Sequence, residues 1–261
     1  MTLACTTSGT GATPLFLVHG WGFDREVFAP LLPALERAWR VTRVDLPGHG
    51  ASPPPAPGAT LEDVAADLAR VAPPGAVWLG WSLGGVLSVA AAATRPGPRG
   101  LCLLATNLRF LAGPDWPDGL EADALAALAE ALRRDPARAA TRFVATQLRT
   151  PGIEPALRER VRAAARAAPP PHPAGLALGL DLLARTDLRA CADQVHVPVS
   201  LLLGARDTLV PAAAGPAIRR RLPAWEIEVL PGAGHLLFLS HPRAVTAALA
   251  RLTGDRPADA S

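Results

Sequence analysis

The chain has 261 residues, of which 49% are hydrophobic and 19% charged, and its formal net charge is +3. That length and apolar content can supply a large core and exclude a disordered polymer over most of the chain. All 26 basic residues are arginines and the total charge is small, so composition gives no reason to expect nucleic acid as a partner.

In chain order, Leu15-Phe16-Leu17-Val18 predicts a buried strand ending in His19-Gly20-Trp21-Gly22. This run is too short for a signal core or a membrane span, and Met1–Cys5 has no charged n-region, so no membrane contact and a cytoplasmic setting are expected. Phe28–Ala38 has helical spacing. Arg40–Val44 predicts a second strand, followed by Asp45-Leu46-Pro47-Gly48-His49-Gly50-Ala51-Ser52 and a proline-rich loop to Gly58. Thr60 is placed to cap a helix with Leu61, Val64, Ala65 and Leu68 on one face. Ala76–Leu79 is a strand, Gly84–Thr94 a helix, and Leu101–Ala105 the next strand.

Between Thr106 and about Ala190 the strand–helix alternation stops. Four helical segments are predicted there: Leu120–Leu132, Pro136–Gln147, Pro155–Ala168 and Gly175–Ala184, punctuated by prolines that include Pro151 and the stiff Pro169-Pro170-Pro171 connector. Strands follow at Val199–Leu203 and Glu226–Leu230, then a helix from Pro242 to about Leu252. Near-continuous apolar strands alternating with helices predict an α/β fold, with a mostly parallel central sheet covered on both faces. The expected organisation is a core in two parts, 1–106 and 191–253, an inserted α-helical lid over 107–190, and a flexible tail over 254–261. Cys5, Cys102 and Cys191 are odd in number and far apart, which argues for a reducing compartment and against a disulfide framework or a zinc site.

The strongest chemical signal is Gly80-Trp81-Ser82-Leu83-Gly84, a G-x-S-x-G sequence between a strand and a helix. Such a turn imposes strained backbone on its serine, lifts the hydroxyl out of the sheet and aims the unpaired N–H groups of the helix start at the site. A free serine hydroxyl is a weak nucleophile and needs a base. Asp207 in Gly204-Ala205-Arg206-Asp207 and His235 in Pro231-Gly232-Ala233-Gly234-His235 each follow a strand, at the sheet edge where ligands bind in open α/β folds. The expected catalytic set is therefore Ser82, His235 as base and Asp207 as its orienting acid. His241 competes as the base, but Ser240-His241-Pro242 reads as a helix start. His49 and Asp45 read as residues that shape their own loop. The oxyanion hole is assigned to the backbone N–H groups of Leu83 and Trp21, with the Trp21 side chain expected to wall the pocket. No cluster suggests a metal ion.

These residues resemble the α/β-hydrolase superfamily and, within it, the family of pimeloyl-[acyl-carrier protein] methyl ester carboxylesterases. The resemblance is carried by His19-Gly20-Trp21-Gly22, Val44-Asp45-Leu46-Pro47-Gly48, Trp78-Leu79-Gly80-Trp81-Ser82-Leu83-Gly84-Gly85, Asp115-Trp116-Pro117, Arg142-Phe143, Thr186-Asp187-Leu188-Arg189, Gly234-His235 and Ser240-His241-Pro242. It implies hydrolysis of the methyl ester of a pimeloyl chain held on acyl carrier protein in biotin synthesis, with no metal or redox cofactor; a monomer is expected. It also implies that Trp21, Ser82, Leu83, Phe143, Val144, Ala145, Thr146, Gln147 and His235 bind the substrate. Departures from the family concentrate in Thr150–Pro173.

Charge patterning adds a carrier-docking expectation. Residues 133–166 hold nine arginines against three acids, a net of +6. Arg138 and Arg142 are four apart, as are Arg158 and Arg162, so each pair shares a helix face suited to an acidic helical partner. Rival readings are a small-ester esterase, lactonase or carbon–carbon bond hydrolase that ignores the carrier, and a catalytically silent binding protein.

Overall fold

Among the described residues seven strands form one sheet in the order β1-β3-β2-β4-β5-β6-β7. They are β1 (Cys5–Ser8), β2 (Thr13–Val18), β3 (Trp39–Val44), β4 (Val77–Trp81), β5 (Gly100–Leu104), β6 (Val199–Gly204) and β7 (Glu226–Leu230). All neighbouring pairs are parallel except β1 with β3. The computed structural model describes residues 2–94, 97–150 and 152–254. Met1, Pro151 and the expected tail beyond Gly254 lie outside the described residues.

The central strands are buried on both faces and alternate between two cores, as the period of two requires. Phe16, Val18, Leu101 and Leu103 face one core, whereas Leu15, Leu17, Cys102 and Leu104 face the other. The first core is closed by α2 (Leu61–Val71), α3 (Leu83–Ala92) and α9 (Ala214–Arg221), the second by α1 (Leu32–Leu35), α10 (Leu237–Ser240) and α11 (Pro242–Thr253). Thr60 caps α2 through a reciprocal capping box with Asp63. Gly254 ends α11 at φ +74°, a left-handed turn that glycine adopts without a Cβ penalty.

Two expectations need correction. The segment Phe28–Ala38 is not one helix but a 3-10 turn, Arg25–Leu31, followed by the single turn of α1. Pro30 and Pro33 each remove a backbone donor, so a continuous α-helix cannot run through them. The edge strand β1 was not expected. Its Cys-Thr-Thr-Ser sequence carries no apolar run, and its place comes from backbone pairing with β3.

Between β5 and β6 lie α4 (Ala122–Arg134), α5 (Pro136–Gln147), α6 (Pro155–Ala167), α7 (Pro173–Arg185) and the single turn α8 (Arg189–Ala192). The two chain segments at the base of this helical stretch are tied together. Leu188 N–H donates to the Leu108 carbonyl at 2.7 Å, and Arg189 pairs with Asp115 at 2.7 Å. Arg109 also reaches Asp115, at 2.8 Å, while the Arg189 guanidinium lies 5.7 Å from the centre of the Trp116 ring. The Asp-Trp-Pro and Thr-Asp-Leu-Arg segments thus serve as one clamp.

Candidate active site

The turn after β4 is possible because its glycines are in contact. A Cβ at Gly80 would lie 2.6 Å from Ser88 Oγ, at Gly84 2.2 Å from the Val18 carbonyl oxygen, and at Gly85 1.9 Å from Thr106 Oγ1. Ser82 between them has φ +55° and ψ −119°, and its N–H donates to the Leu104 carbonyl at 2.9 Å. Ala105, one residue beyond β5 on the neighbouring strand, also has a positive φ, +46°. Side chains rarely adopt this region, and such strain gathers where surrounding structure over-determines the backbone.

Parallel strands bring residues far apart in sequence to one edge. Ser82 follows β4, Asp207 follows β6 and His235 follows β7, all at carboxyl ends. His235 Nε2 lies 3.0 Å from Ser82 Oγ, and His235 Nδ1 lies 2.8 Å from Asp207 Oδ2. An ionised carboxylate can only accept, so Nδ1 carries the proton and Nε2 is free to accept from the serine hydroxyl. The other carboxylate oxygen of Asp207 accepts from the N–H groups of Leu209, at 2.8 Å, and Val210, at 3.0 Å. All three side chains are buried. The rival base His241 is held at the start of α11, bonded to Ser240 Oγ at 2.8 Å and to the Pro231 carbonyl at 3.2 Å.

Sequence reasoning placed His49 and Asp45 as shapers of their loop but missed Trp81 as a support of His235 and the pairing of His19 with His49. Trp81 Nε1–H donates to the His235 carbonyl at 2.9 Å, and its ring lies 5.4 Å from the imidazole. His19 and His49 form a reciprocal latch between the two loops that follow β2 and β3. His19 Nε2 accepts from Leu46 N–H at 3.0 Å, while His49 Nε2 accepts from Gly22 N–H at 3.3 Å. Each Nδ1–H donates to a nearby carbonyl, that of Gly20 or Pro47. Burial pushes both imidazoles down, His49 to about 3, with the neighbouring His19 as a second cause for His49. Both therefore remain neutral and keep an acceptor nitrogen. Asp45 braces the second loop, accepting from Arg25 N–H at 2.8 Å, from Ala51 N–H at 2.9 Å and from the Arg25 guanidinium. The signal for the histidines was their placement beside glycines in two loops that follow adjacent strands, but pairing them needs the sheet.

Ser82 opens into a cavity of about 320 Å3 walled by Trp21, Phe110, Leu125, Leu128 and Leu180. Of the α5 residues assigned to substrate, Phe143, Thr146 and Gln147 line it, together with Arg142. These positions share a helix face by their spacing of three and four. Val144 and Ala145 point to a second cavity of about 270 Å3 on the other side of α5. Leu83 is buried as the first residue of α3, where its N–H has no carbonyl partner within the helix. Trp21 is buried and packs edge-on against Phe143, at 4.8 Å between ring centres.

The four arginines of the docking expectation differ in setting. Arg138 and Arg142 are exposed on α5. On α6, Arg158 donates to the Ile153 carbonyl at 3.2 Å and Arg162 pairs with Glu159 at 2.7 Å, both half-buried. Among the described residues no group of three or more His, Cys, Asp or Glu side chains is placed to hold a metal ion, and no helix is long and apolar enough to cross a membrane.

Comparison with known proteins follows the same lines. Residues 15–249 match the alpha/beta hydrolase family. The chain is 40% identical over 245 residues to the pimeloyl-[acyl-carrier protein] methyl ester esterase of Xanthomonas oryzae pv. oryzae strain MAFF 311018, covering 93% of this chain and 96% of that protein. It is 40% identical over 253 residues to the protein of that name from Xylella fastidiosa strain 9a5c, covering 95% and 98%. An esterase from Exiguobacterium antarcticum superposes with a TM-score of 0.82 over 96% of this chain and 95% of its own, at 20% identity, a likeness of fold alone.

Proposed function

Because the chain belongs to the alpha/beta hydrolase family and, within it, to the pimeloyl-[acyl-carrier protein] methyl ester esterases, we propose that it hydrolyses the methyl ester of a pimeloyl chain held on acyl carrier protein. The products are methanol and a free carboxylate at the far end of the chain. The observation that carries this reading is 40% identity to those esterases across 93% of the chain.

The chemistry is supported by the hydrogen-bonded series Ser82, His235, Asp207. Ser82 Oγ attacks the ester carbonyl carbon as His235 Nε2 takes its proton. The carbonyl oxygen becomes an oxyanion held by the N–H groups of Leu83 and Trp21; a donor of this kind is worth about 3–4 kcal/mol in the transition state. His235 then returns the proton to the departing methoxide, which leaves as methanol. A water molecule, deprotonated by His235, attacks the acyl-enzyme and frees the carboxylate. Asp207 holds the imidazole in the tautomer that this requires and stabilises its protonated form.

The apolar wall around Ser82 suits a methylene chain, with Trp21, Phe143, Thr146 and Gln147 lining it. The α-helical stretch 107–190 acts as a lid over a core made of 1–106 and 191–253. Exposed Arg138 and Arg142 offer the acidic carrier a cationic face, extended by Arg158 and Arg162 on the next helix. A reducing compartment, the cytoplasm, is supported by the three unpaired thiols Cys5, Cys102 and Cys191.

The test is direct. Methyl pimeloyl-[acyl-carrier protein], free methyl pimelate and a short p-nitrophenyl ester are offered to the purified protein; loss of the methyl group is followed by mass spectrometry for the first two and release of p-nitrophenol by absorbance for the third. Carrier-bound substrate is expected to be preferred in kcat/KM. Equal rates with and without the carrier would overturn the substrate assignment.

A further inference from the structure

The indole of Trp21 is attached to the helical insert, not to the core that supplies its backbone. Its Nε1–H donates to the carbonyl of Leu176 on α7 at 2.8 Å, across 155 positions of sequence. Facing the ring on the same helix is Gly179. A Cβ there would lie 2.5 Å from Trp21 Cδ1, 3.2 Å from Trp21 Nε1 and 3.0 Å from Leu83 Cδ2. One residue of the insert therefore touches the side chains of both residues whose N–H groups form the proposed oxyanion hole.

The seat of α7 is built for this approach. Gly175, one turn earlier on the same face, lies against the loop after β3, where a Cβ would be 2.4 Å from the Pro47 carbonyl oxygen. His172 N–H, just before the helix, donates to the Gly48 carbonyl at 2.7 Å. Glycine inside a helix costs about 1 kcal/mol relative to alanine. Two of them, one turn apart, are explained by close contact with the two loops that His19 and His49 latch together. From the other side, Phe143 of α5 meets the Trp21 ring edge-on.

We infer that α7 positions the oxyanion hole: Gly179 and the Leu176 carbonyl set where Trp21 and Leu83 stand, so that the seating of the insert is read out in the rate of ester cleavage. This rests on the proposed hydrolysis through Ser82 and adds a positioning role for Gly179, which touches neither the reacting atoms nor the cavity. Oxyanion stabilisation falls steeply with small displacements of its donors, so a shift of α7 too small to open the cavity still changes turnover. Docking of a carrier on the insert would act on the reaction through the same contact.

The experiment compares wild type with Gly179→Ala, Trp21→Phe and the double variant. Trp21→Phe keeps an aromatic ring and the backbone N–H but cannot donate to Leu176. Three readouts are taken: kcat and KM on a short p-nitrophenyl ester, affinity for a boronic acid that forms a tetrahedral adduct on Ser82, and thermal melting. Each single variant is expected to lose about tenfold or more in kcat. KM should stay within about twofold, as for loss of an interaction made in the transition state. Boronate affinity should fall in step with kcat, and the double variant should be little worse than the poorer single one, since both act through one contact. A folded Gly179→Ala or Trp21→Phe protein with unchanged kcat and boronate affinity overturns the inference, as do fully additive effects. If Gly179→Ala fails to fold, Trp21→Phe decides through its kcat against KM split: lower kcat at unchanged KM supports positioning, whereas a raised KM at unchanged kcat marks only a lost cavity wall and overturns the inference. Failure of the underlying hydrolysis reading looks different, because wild type itself would then neither cleave the ester nor bind the boronic acid through Ser82.

Discussion

The indole N–H of Trp81 donates to the backbone carbonyl of His235 at 2.9 Å. The residue just before the elbow serine thus holds the histidine that faces that serine, and a single strand end carries one partner and positions the other. Trp81→Phe removes one hydrogen bond, worth about 1 kcal/mol, and leaves the His235 carbonyl unpaired. The expected result is a kcat lower by roughly fivefold to tenfold with little change in KM, together with a lower melting temperature. Steady-state kinetics and thermal melting check it; unchanged kcat would mean that the peptide of His235 is held by its glycine loop alone.

Ser82→Ala should abolish turnover while binding of the acyl carrier persists, because the proposed docking face lies on other residues. Asp207→Asn should leave the fold intact and lower kcat by roughly three to four orders of magnitude, since an amide in place of the carboxylate favours the wrong imidazole tautomer. Labelling of wild type, but not Ser82→Ala, by a fluorophosphonate provides the chemical check.

Arg138 and Arg142 are both exposed on α5, and Arg142 also stands at the lining of the Ser82 cavity. Arg138→Glu should therefore lower kcat/KM for the carrier-bound ester more than for a short ester, and flatten the salt dependence of the former. Arg142→Glu should depress both activities. Equal loss on both substrates with Arg138→Glu would remove this arginine from the docking surface.

The histidine latch makes stability fall in acid. Burial lowers the folded-state pKa of His49 from 6.5 to about 3 and lowers that of His19 in the same direction. Between these values the unfolded chain takes up a proton that folded His49 refuses, so the contribution of His49 is full above about pH 6.5 and shrinks as pH falls toward 3, with His19 acting in the same direction. The slope from one such group approaches about 1.4 kcal/mol per pH unit. His49→Gln keeps a neutral acceptor for Gly22 N–H and cannot titrate. Denaturant unfolding at pH 5 and pH 7 should show a smaller loss in this variant than in wild type; equal losses would show that His49 is not the group responsible.

Much of the site was legible because its signals are local. The Ala76–Leu79 run, the glycines round Ser82, and Asp207 and His235 just past apolar or alternating strands each occupy a few consecutive residues. The parallel sheet then brings strand ends to one edge. The α5 segment was legible as a helix, but not which of its residues face Ser82. Phe143, Thr146 and Gln147 do so and Val144 and Ala145 do not, because a helix turns by about 100° per residue and its rotation about its own axis is set by packing. β1 escaped notice because a polar edge strand is specified by its partner. Pro30 and Pro33, by contrast, were in plain view and should have divided the expected helix.

The amino-acid order alone determined the layered α/β architecture, the strained serine turn and the two residues that serve it, since period, glycine placement and turn chemistry act between near neighbours. What the tertiary structure decided was the set of contacts between distant segments: the paired histidines, the tryptophan that holds His235, and the glycines by which α7 rests on Trp21. These depend on how two elements sit against each other, and that depends on the close packing of the whole interior rather than on any short stretch of chain.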